Sequence, residues 1–497
     1  MSITASKLYN YLQCPHRVWR DVWGPQEEKI KETNPFVQLL WDRGVQHEKK
    51  VVSKLGGFTD LSKIGFDRAA DLAMEAMKRG DELIYQGVLK GENLMGIPDL
   101  LRKQSDGNYL PIDIKAGLGY EGESEDGEGR LKKHYAVQLC VYAGLLKEKG
   151  FAKNNIGLII DINEKEAEYK LDDKMGVRSP ETWWEAYEEI KEEADALIKN
   201  KKQNLPASSA ICKLCPWYLS CKKWCKESDD LTNIFYLGRS KRDVIVEQLG
   251  VNSVKDIAQL DIAVIAARKK ANKKFLPGVG EKTIEKIIIR ANIVANTKKP
   301  VIYEHLNLPE VSTELFFDIE ADPTQNLVYL HGVYERKNGK ERFLSFVAES
   351  NTAEGEKIAW QKFWDYIRTL PKDDFAVYYY SPYEKTVYKK MRQTYPEVVS
   401  EDELEDFFAR EKTIDLYMDI IYKHTDWPLG SYSIKEIAVY LGFKWRDETP
   451  SGALSIQWYN EYLKTKDEKI LKRILEYNED DCKATMVLKD FLVKNNI

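Results

Sequence analysis

Hydrophobic and polar positions change their rhythm twice along the chain. From residue 1 to about 228, apolar residues first recur at helical spacing. They then alternate over short runs around 95–115 and 155–170, and the zone closes on a cysteine cluster. Residues 229–300 read as short helices punctuated by "LGVNSVKDIAQL" and "FLPGVGEKTIEKIII". After "NTKKP" come the strand-like "TELFFDIE", "NLVYLHGVYE", "ERFLSFVAE" and "FAVYYYS", and the remainder turns helical. Strands interleaved with helices predict α/β sheets in both large zones, with a small all-α segment between them. The predicted domains are 1–228, 229–300 and 301–497. The segment "GYEGESEDGEGR" at 119–130, rich in glycine and acid, predicts a flexible loop.

Composition narrows the class. A chain of 497 residues exceeds one ordinary core, and 43% hydrophobic with 31% charged residues describes a globular multidomain protein. The start, "MSITASKLYNYLQC", lacks a basic stretch followed by an apolar core, and no apolar run is long enough for a membrane span. The expectation is a cytoplasmic protein with no membrane partner. A net charge of -5 means that nucleic acid would be met by local patches, such as "RLKKHY" (130–135) and "RKKANKKF" (268–275). Seven cysteines, four of them within 212–225, favour metal ligation over disulfides in a reducing compartment.

"GIPDLLRKQSDGNYLPIDIKAG" places Asp99 at the end of one β-like segment and Asp113 in the next, with a "SDGN" turn between them. Asp113 and Lys115 are two apart and share a strand face. Two carboxylates can hold a hard divalent cation, and a neighbouring lysine can orient or deprotonate water or offset phosphate charge. Gln138 and Tyr142 share a helix face in "QLCVY", and "RGVQHEKK" supplies His47 and Glu48 upstream. This set resembles the PD-(D/E)xK nucleases of the RecB type, which implies a restriction-endonuclease-like mixed sheet. By that resemblance His47, Asp99 and Asp113 are ligands of Mg2+ or Mn2+ and Lys115 is the catalytic lysine. Gln138 and Tyr142 position DNA or the lysine.

Cys212, Cys215, Cys221 and Cys225 follow one another at gaps of two, five and three. With Cys225 as fourth ligand the group is a local zinc site; with Cys14 it bridges both ends of the domain and suits an iron-sulfur cluster. "NYLQCPHRVW" near the start, with C-x2-C-x5-C after the nuclease motifs, resembles RecB-like nucleases with an iron-sulfur clasp, such as AddB-type and CRISPR-associated RecB-like exonucleases. The resemblance implies a 4Fe-4S cluster on Cys14, Cys212, Cys215 and Cys221. Cys140 and Cys482 read as small buried core residues.

"LPGVGEKTIEKII" ends in Gly-x-Lys-Thr but lacks the glycine before lysine, the longer loop and the leading strand of a Walker motif. It resembles a helix-hairpin-helix, with "LGVNSVKDIAQL" as a companion half-repeat. Gly278 and Gly280 permit the turn and, with Lys282 and Thr283, meet a DNA phosphate. The plainer reading is an αα-corner joining domains.

"FFDIEAD" puts Asp318 and Glu320 on one strand face, and "LEYNEDDCKAT" puts Tyr477 and Asp481 on one helix face. Three carboxylates and a tyrosine suit a two-metal phosphodiester site. The combination resembles DEDD exonucleases of the RNase H-like fold, in the variant ending Tyr-x-x-x-Asp, and "SGALSIQWYNEYL" (451–463) resembles the RNase H-like domain fused to RecB-type nucleases. One departure stands out: the second motif should supply aspartate, and "YYYSPYEKTVYKK" offers Glu384. Asp415 in "TIDLYMD" is an accessory acid or a helix cap.

The expectation is therefore a metal-dependent deoxyribonuclease acting on single-stranded DNA or DNA ends, with a second 3'-5' exonuclease site. It would serve repair, recombination or defence, with a helicase as a separate partner. Two rivals stand beside it: only the first site cuts and the C-terminal domain is a binding platform, or the whole chain is a non-catalytic DNA-binding subunit.

Overall fold

A computed structural model describes residues 2–32, 34–122, 129–176, 179–409, 411–448 and 451–495. The chain divides into two compact units, one of residues 1–206 with 210–220, the other of 207–209 with 221–497. The 229–300 helices and the C-terminal sheet thus share one unit.

The first unit is built on a six-stranded sheet. Its order is Glu166–Lys170, Ile156–Ile160, Tyr109–Ile114, Leu100–Lys103, Leu83–Tyr85, Thr59–Asp60. Tyr109–Ile114 is nearly continuously buried because it runs antiparallel to Leu100–Lys103 and parallel to Ile156–Ile160. The predicted hairpin is the Leu100–Lys103 and Tyr109–Ile114 pair. Asp99, however, precedes the first of these strands instead of ending one. Helix Lys133–Glu148 buries Val137, Val141, Leu145 and Leu146 in the main core and is apolar on most of its circumference, as a helix enclosed on several sides requires. The flanks of the predicted loop pair as a short ladder, Tyr120–Glu121 with Arg130–Leu131, while 123–128 lie outside the described residues.

Residues 210–220 return to the start of this unit. Trp217 is buried against the helix Pro15–Trp23, with its Nε1 donating to Asp21 at 2.9 Å and Arg20 lying 4.4 Å above the ring. The backbone N–H of Ile30 donates to Pro216 at 2.8 Å.

The second unit centres on a five-stranded sheet ordered Lys340–Val347, Leu327–Lys337, Thr313–Asp322, Phe375–Tyr379, Thr413–Asp415. The first three strands are antiparallel and the last two join in parallel. On the central strand, Leu315, Phe317 and Ile319 face one core with Trp360, Phe363 and Trp364. Phe316 faces the other, which holds Cys482 and Leu488 of the long helix Glu468–Lys494. This alternation sends Asp318 and Glu320 to the helix side.

Helices Arg239–Leu249, Val254–Ala258, Ile262–Ala271 and Glu281–Asn292 form a small core of their own. They are pinned to the short ladder of Val301–Ile302 with Thr425–Asp426 by a buried ion pair: Arg290 Nε donates to Asp426 Oδ1 at 2.7 Å, and the Tyr303 hydroxyl donates to Oδ2 at 2.8 Å. Phe235 stacks on Tyr432 at 3.7 Å beside it. Among the described residues, no helix is long and apolar enough to cross a membrane. Because Asp426→Ala strands the Arg290 guanidinium in a dry site, it should lower unfolding free energy by about 3–5 kcal/mol in urea titration. A loss under about 1 kcal/mol would contradict the pinning role.

Candidate active sites

In the first unit the hairpin brings the acids together. Asp113 is buried and pairs with Lys115, Nζ to Oδ2 at 2.8 Å. Asp99 Oδ2 accepts the Ile114 N–H at 2.7 Å, which clamps one carboxylate to the strand carrying the other. Burial first, and then the charge of Asp113, raises the Asp99 carboxyl to about 8. Burial alone would lower Lys115, but Asp113 and Asp99 outweigh it and hold the ammonium above the usual lysine range. Lys115 is thus a fixed cation that offsets charge.

Tyr142 is buried across from the hairpin, its hydroxyl bonded to Asp113 and its titration driven up by burial and then by the two aspartates. Gln138 is half-buried one turn earlier on the same helix. Sequence reasoning missed Tyr135, whose ring lies 5.9 Å from Lys115 Nζ. Its spacing with Gln138 and Tyr142, three and then four residues, marks a single helix face and could have revealed it.

His47 and Glu48 lie on helix Pro35–Val52. His47 is buried, and its Nε2 donates to the Asp161 carbonyl at 3.0 Å, a bond that leaves Nδ1 as the acceptor nitrogen. Glu48 joins the Asp99 network through Gln86, whose Nε2 donates to Glu48 at 2.7 Å and to Asp99 at 3.2 Å. Gln86 itself was not foreseen; it adopts φ 56°, a left-handed backbone that non-glycine residues seldom take.

In the second unit Asp318, Glu320 and Asp481 each offer a ligand atom within 4.8 Å of the others, the only such group of three among the described residues. The strand supplies two acids and the helix Glu468–Lys494 the third, while the register of Thr313–Asp322 shifts immediately after Glu320. Asn478 Nδ2 donates to Asp318 Oδ2 at 2.7 Å, and Trp445 Nε1 to Asp481 Oδ1 at 2.8 Å. Asn478 fits only because Gly332 lies opposite: a Cβ there would stand 1.6 Å from Asn478 Oδ1. Burial raises all three acids, Glu320 to about 8; the charge of Asp481 adds to the rise at Asp318 and Glu320, and that of Glu320 adds to it at Asp318.

Glu384 is the second residue of the helix Tyr383–Thr394, is 4% exposed, has an unpartnered Oε2, and is raised by burial to about 8. Its charge acts on Asp318, so it stands near the trio although outside it. Asp415 resolves as a backbone cap: Oδ1 accepts N–H groups of Ser381, Tyr417 and Met418, each at 3.0 Å. Through Ser381 it holds a residue at φ 112°, three positions before Glu384. Tyr477 is buried and bonded to Asp481, and Lys435, absent from the sequence-based set, donates to its hydroxyl at 2.7 Å.

None of the seven cysteines is joined in a disulfide. Cys140 and Cys482 are core residues, as expected. Cys14 and Cys212 lie within electrostatic reach of Cys215, whose thiol is raised mainly by burial. The cysteines do not converge into a metal-type group of the kind the three acids form. Cys225 is buried in the second unit, where the Thr232 hydroxyl reaches its sulfur.

At the predicted hairpin, Gly278 has φ 72° and Gly250 of the companion segment φ 68°. Helix Glu281–Asn292 starts at Gly280 without a side-chain cap, with Lys282 exposed beside it. In the basic run "RKKANKKF", Lys269 bonds the carbonyls of Phe275 and Leu276, and Arg268 covers the Phe275 ring, so those two cations are used in packing.

Two superfamily models match the chain. That of the PD-(D/E)XK nuclease superfamily covers residues 13–222, and that of the RNase_H superfamily covers 315–493. The chain therefore carries a domain of each, and together they point to a nuclease that hydrolyses phosphodiester bonds and takes nucleic acid as substrate. Comparisons with curated proteins and with solved structures gave no match.

A carboxyl raised to about 8 when folded, against about 4 when unfolded, keeps a proton that the unfolded chain has lost. Metal-free stability should therefore fall as pH rises from about 5 to about 8 and level off above that. Urea midpoints measured with chelator should decline across this window, and Mg2+ should flatten the decline. A midpoint that climbs with pH would refute the assignment.

Proposed function

We propose that the protein is a metal-dependent deoxyribonuclease with two phosphodiester-cleaving sites, acting on single-stranded DNA or DNA ends. The observation that carries this reading is that each matched segment gathers its own buried and half-buried acids around one strand and one helix. Asp99 and Asp113, with His47, would hold Mg2+ or Mn2+ in the first site, and Lys115 would offset charge on the phosphate. Asp318, Glu320 and Asp481 would hold the metal pair of the second, a 3'-5' exonuclease site. Glu384, buried nearby with a free oxygen, supports a competent second site over a mere binding platform. The uncapped turn at Gly278 and Gly280, with Lys282 and Thr283, would grip backbone phosphate without reading sequence. The setting would be cytoplasmic repair, recombination or defence, with unwinding left to a separate motor.

Cleavage of end-labelled single- and double-stranded DNA and RNA tests the reading. Asp113→Ala and Asp318→Ala should each remove one metal-dependent product pattern by about 100-fold or more, and the double variant should be inert. Full activity in both single variants would reject it. Loss in Asp113→Ala alone would leave the first site as the only cutter.

The same reading gives Cys14, Cys212 and Cys215 to a 4Fe-4S cluster, with Cys221 as the fourth thiolate by sequence spacing. The electrostatic reach of Cys14 and Cys212 on Cys215 supports it, as does the separate hydrogen bond of Cys225. Anaerobically purified protein should be brown with about four irons per chain, Cys14→Ser should lose the colour, and Cys225→Ser should keep it. Zinc with no iron would overturn the assignment.

A further inference from the structure

The second site contains one cation that neither motif reading nor family match assigns a task. Lys435 is the second residue of helix Ile434–Tyr440, and its ammonium donates to the Tyr477 hydroxyl at 2.7 Å while lying 4.7 Å from that ring. It also stands 6.0 Å from the ring of Trp445, whose Nε1 donates to Asp481. Its charge acts favourably on Asp318, Glu320 and Asp481 alike.

An ammonium can only donate, so the Tyr477 oxygen must accept from it, and a phenol carries a single proton to give. That proton is therefore directed to Asp481, the hydroxyl's other partner. Without Lys435 the phenol rotor is free to turn and the acids lose their resident counter-charge. We propose that Lys435 is a positioning residue of the second site: it fixes the Tyr477 hydroxyl for its work on substrate or water, and it opposes overbinding of divalent metal.

The two effects have opposite signs. Removing a positive charge beside three carboxylates should tighten metal binding, whereas releasing the tyrosine should slow turnover. A residue needed only for folding would weaken both together.

The inference rests on the second site being a metal-dependent nuclease site, and the experiment separates the two. Full-length protein with Asp99→Asn and Asp113→Asn, which disable the first site, serves as the background. Mn2+ binding is followed by calorimetry, and kcat and KM on a labelled single-stranded oligonucleotide are measured in saturating Mn2+. Lys435→Met should bind Mn2+ about threefold or more tightly, lose about tenfold or more in kcat, and change KM less than about threefold. Lys435→Arg, which keeps the charge and the donor, should hold both Mn2+ affinity and kcat within about threefold of the background.

If the methionine variant fails to fold, Lys435→Gln takes its place: it can still donate but carries no charge, so Mn2+ should again bind more tightly. Unchanged kcat in Lys435→Met, or weaker metal binding in any variant lacking the charge, overturns the inference. Background protein that shows no Mn2+ binding sensitive to Asp318→Asn, and no cleavage, overturns the functional reading beneath it.

Discussion

Keeping several carboxylates dry and close together is the constraint on which the rest of this molecule depends. Charged groups of one sign resist both burial and proximity, and Asp99, Asp318, Glu320, Glu384 and Asp481 suffer at least the first. The fold meets the cost by rigidity. Asp99 is bonded to the backbone of the neighbouring strand, Asp318 to an asparagine, and Asp481 to a tryptophan and a tyrosine. Acids held this way cannot relax apart, and the unfavourable free energy they retain is available to a divalent cation.

Two unrelated sheets reach the same arrangement. In each, a central strand supplies a carboxylate, a helix brings a buried tyrosine within its field, and one lysine supplies counter-charge: Asp113, Tyr142 and Lys115 in one unit, Asp318, Tyr477 and Lys435 in the other. The lysines differ in partner. Lys115 pairs directly with an acid, whereas Lys435 reaches the acids by way of a phenol. The likeness reflects a shared electrostatic problem, that of holding acids together out of water with a cation close at hand.

Much of this was legible in the chain because it depends on short periods. A separation of two on a strand and of four on a helix fixes a shared face whatever the tertiary context, which is why Asp318 with Glu320, and Tyr477 with Asp481, fell where expected. Two-residue alternation likewise exposed the strands. What escaped depends on contacts between distant segments. Lys435 sits 42 residues from Tyr477 in an ordinary helix start, Glu48 is tied to Asp99 by way of Gln86, and Asp415, readable as a helix cap, also holds Ser381 of a distant segment. The cysteines fall between these cases: their spacing suggests ligation, but which thiols meet depends on how 210–220 folds back onto helix Pro15–Trp23.

Gly332 and Asn478 lie 146 positions apart, yet one occupies the volume the other vacates. The pair constrains what descendants of this sequence can explore. Any side chain at 332 evicts the asparagine that steadies Asp318, and a smaller residue at 478 leaves that aspartate without its donor. Each change is harmful alone, and only a coordinated double replacement offers a way through. Such a locked pair should drift slowly while selection keeps the acids in use, and should be among the first positions to scatter in a lineage that has abandoned them.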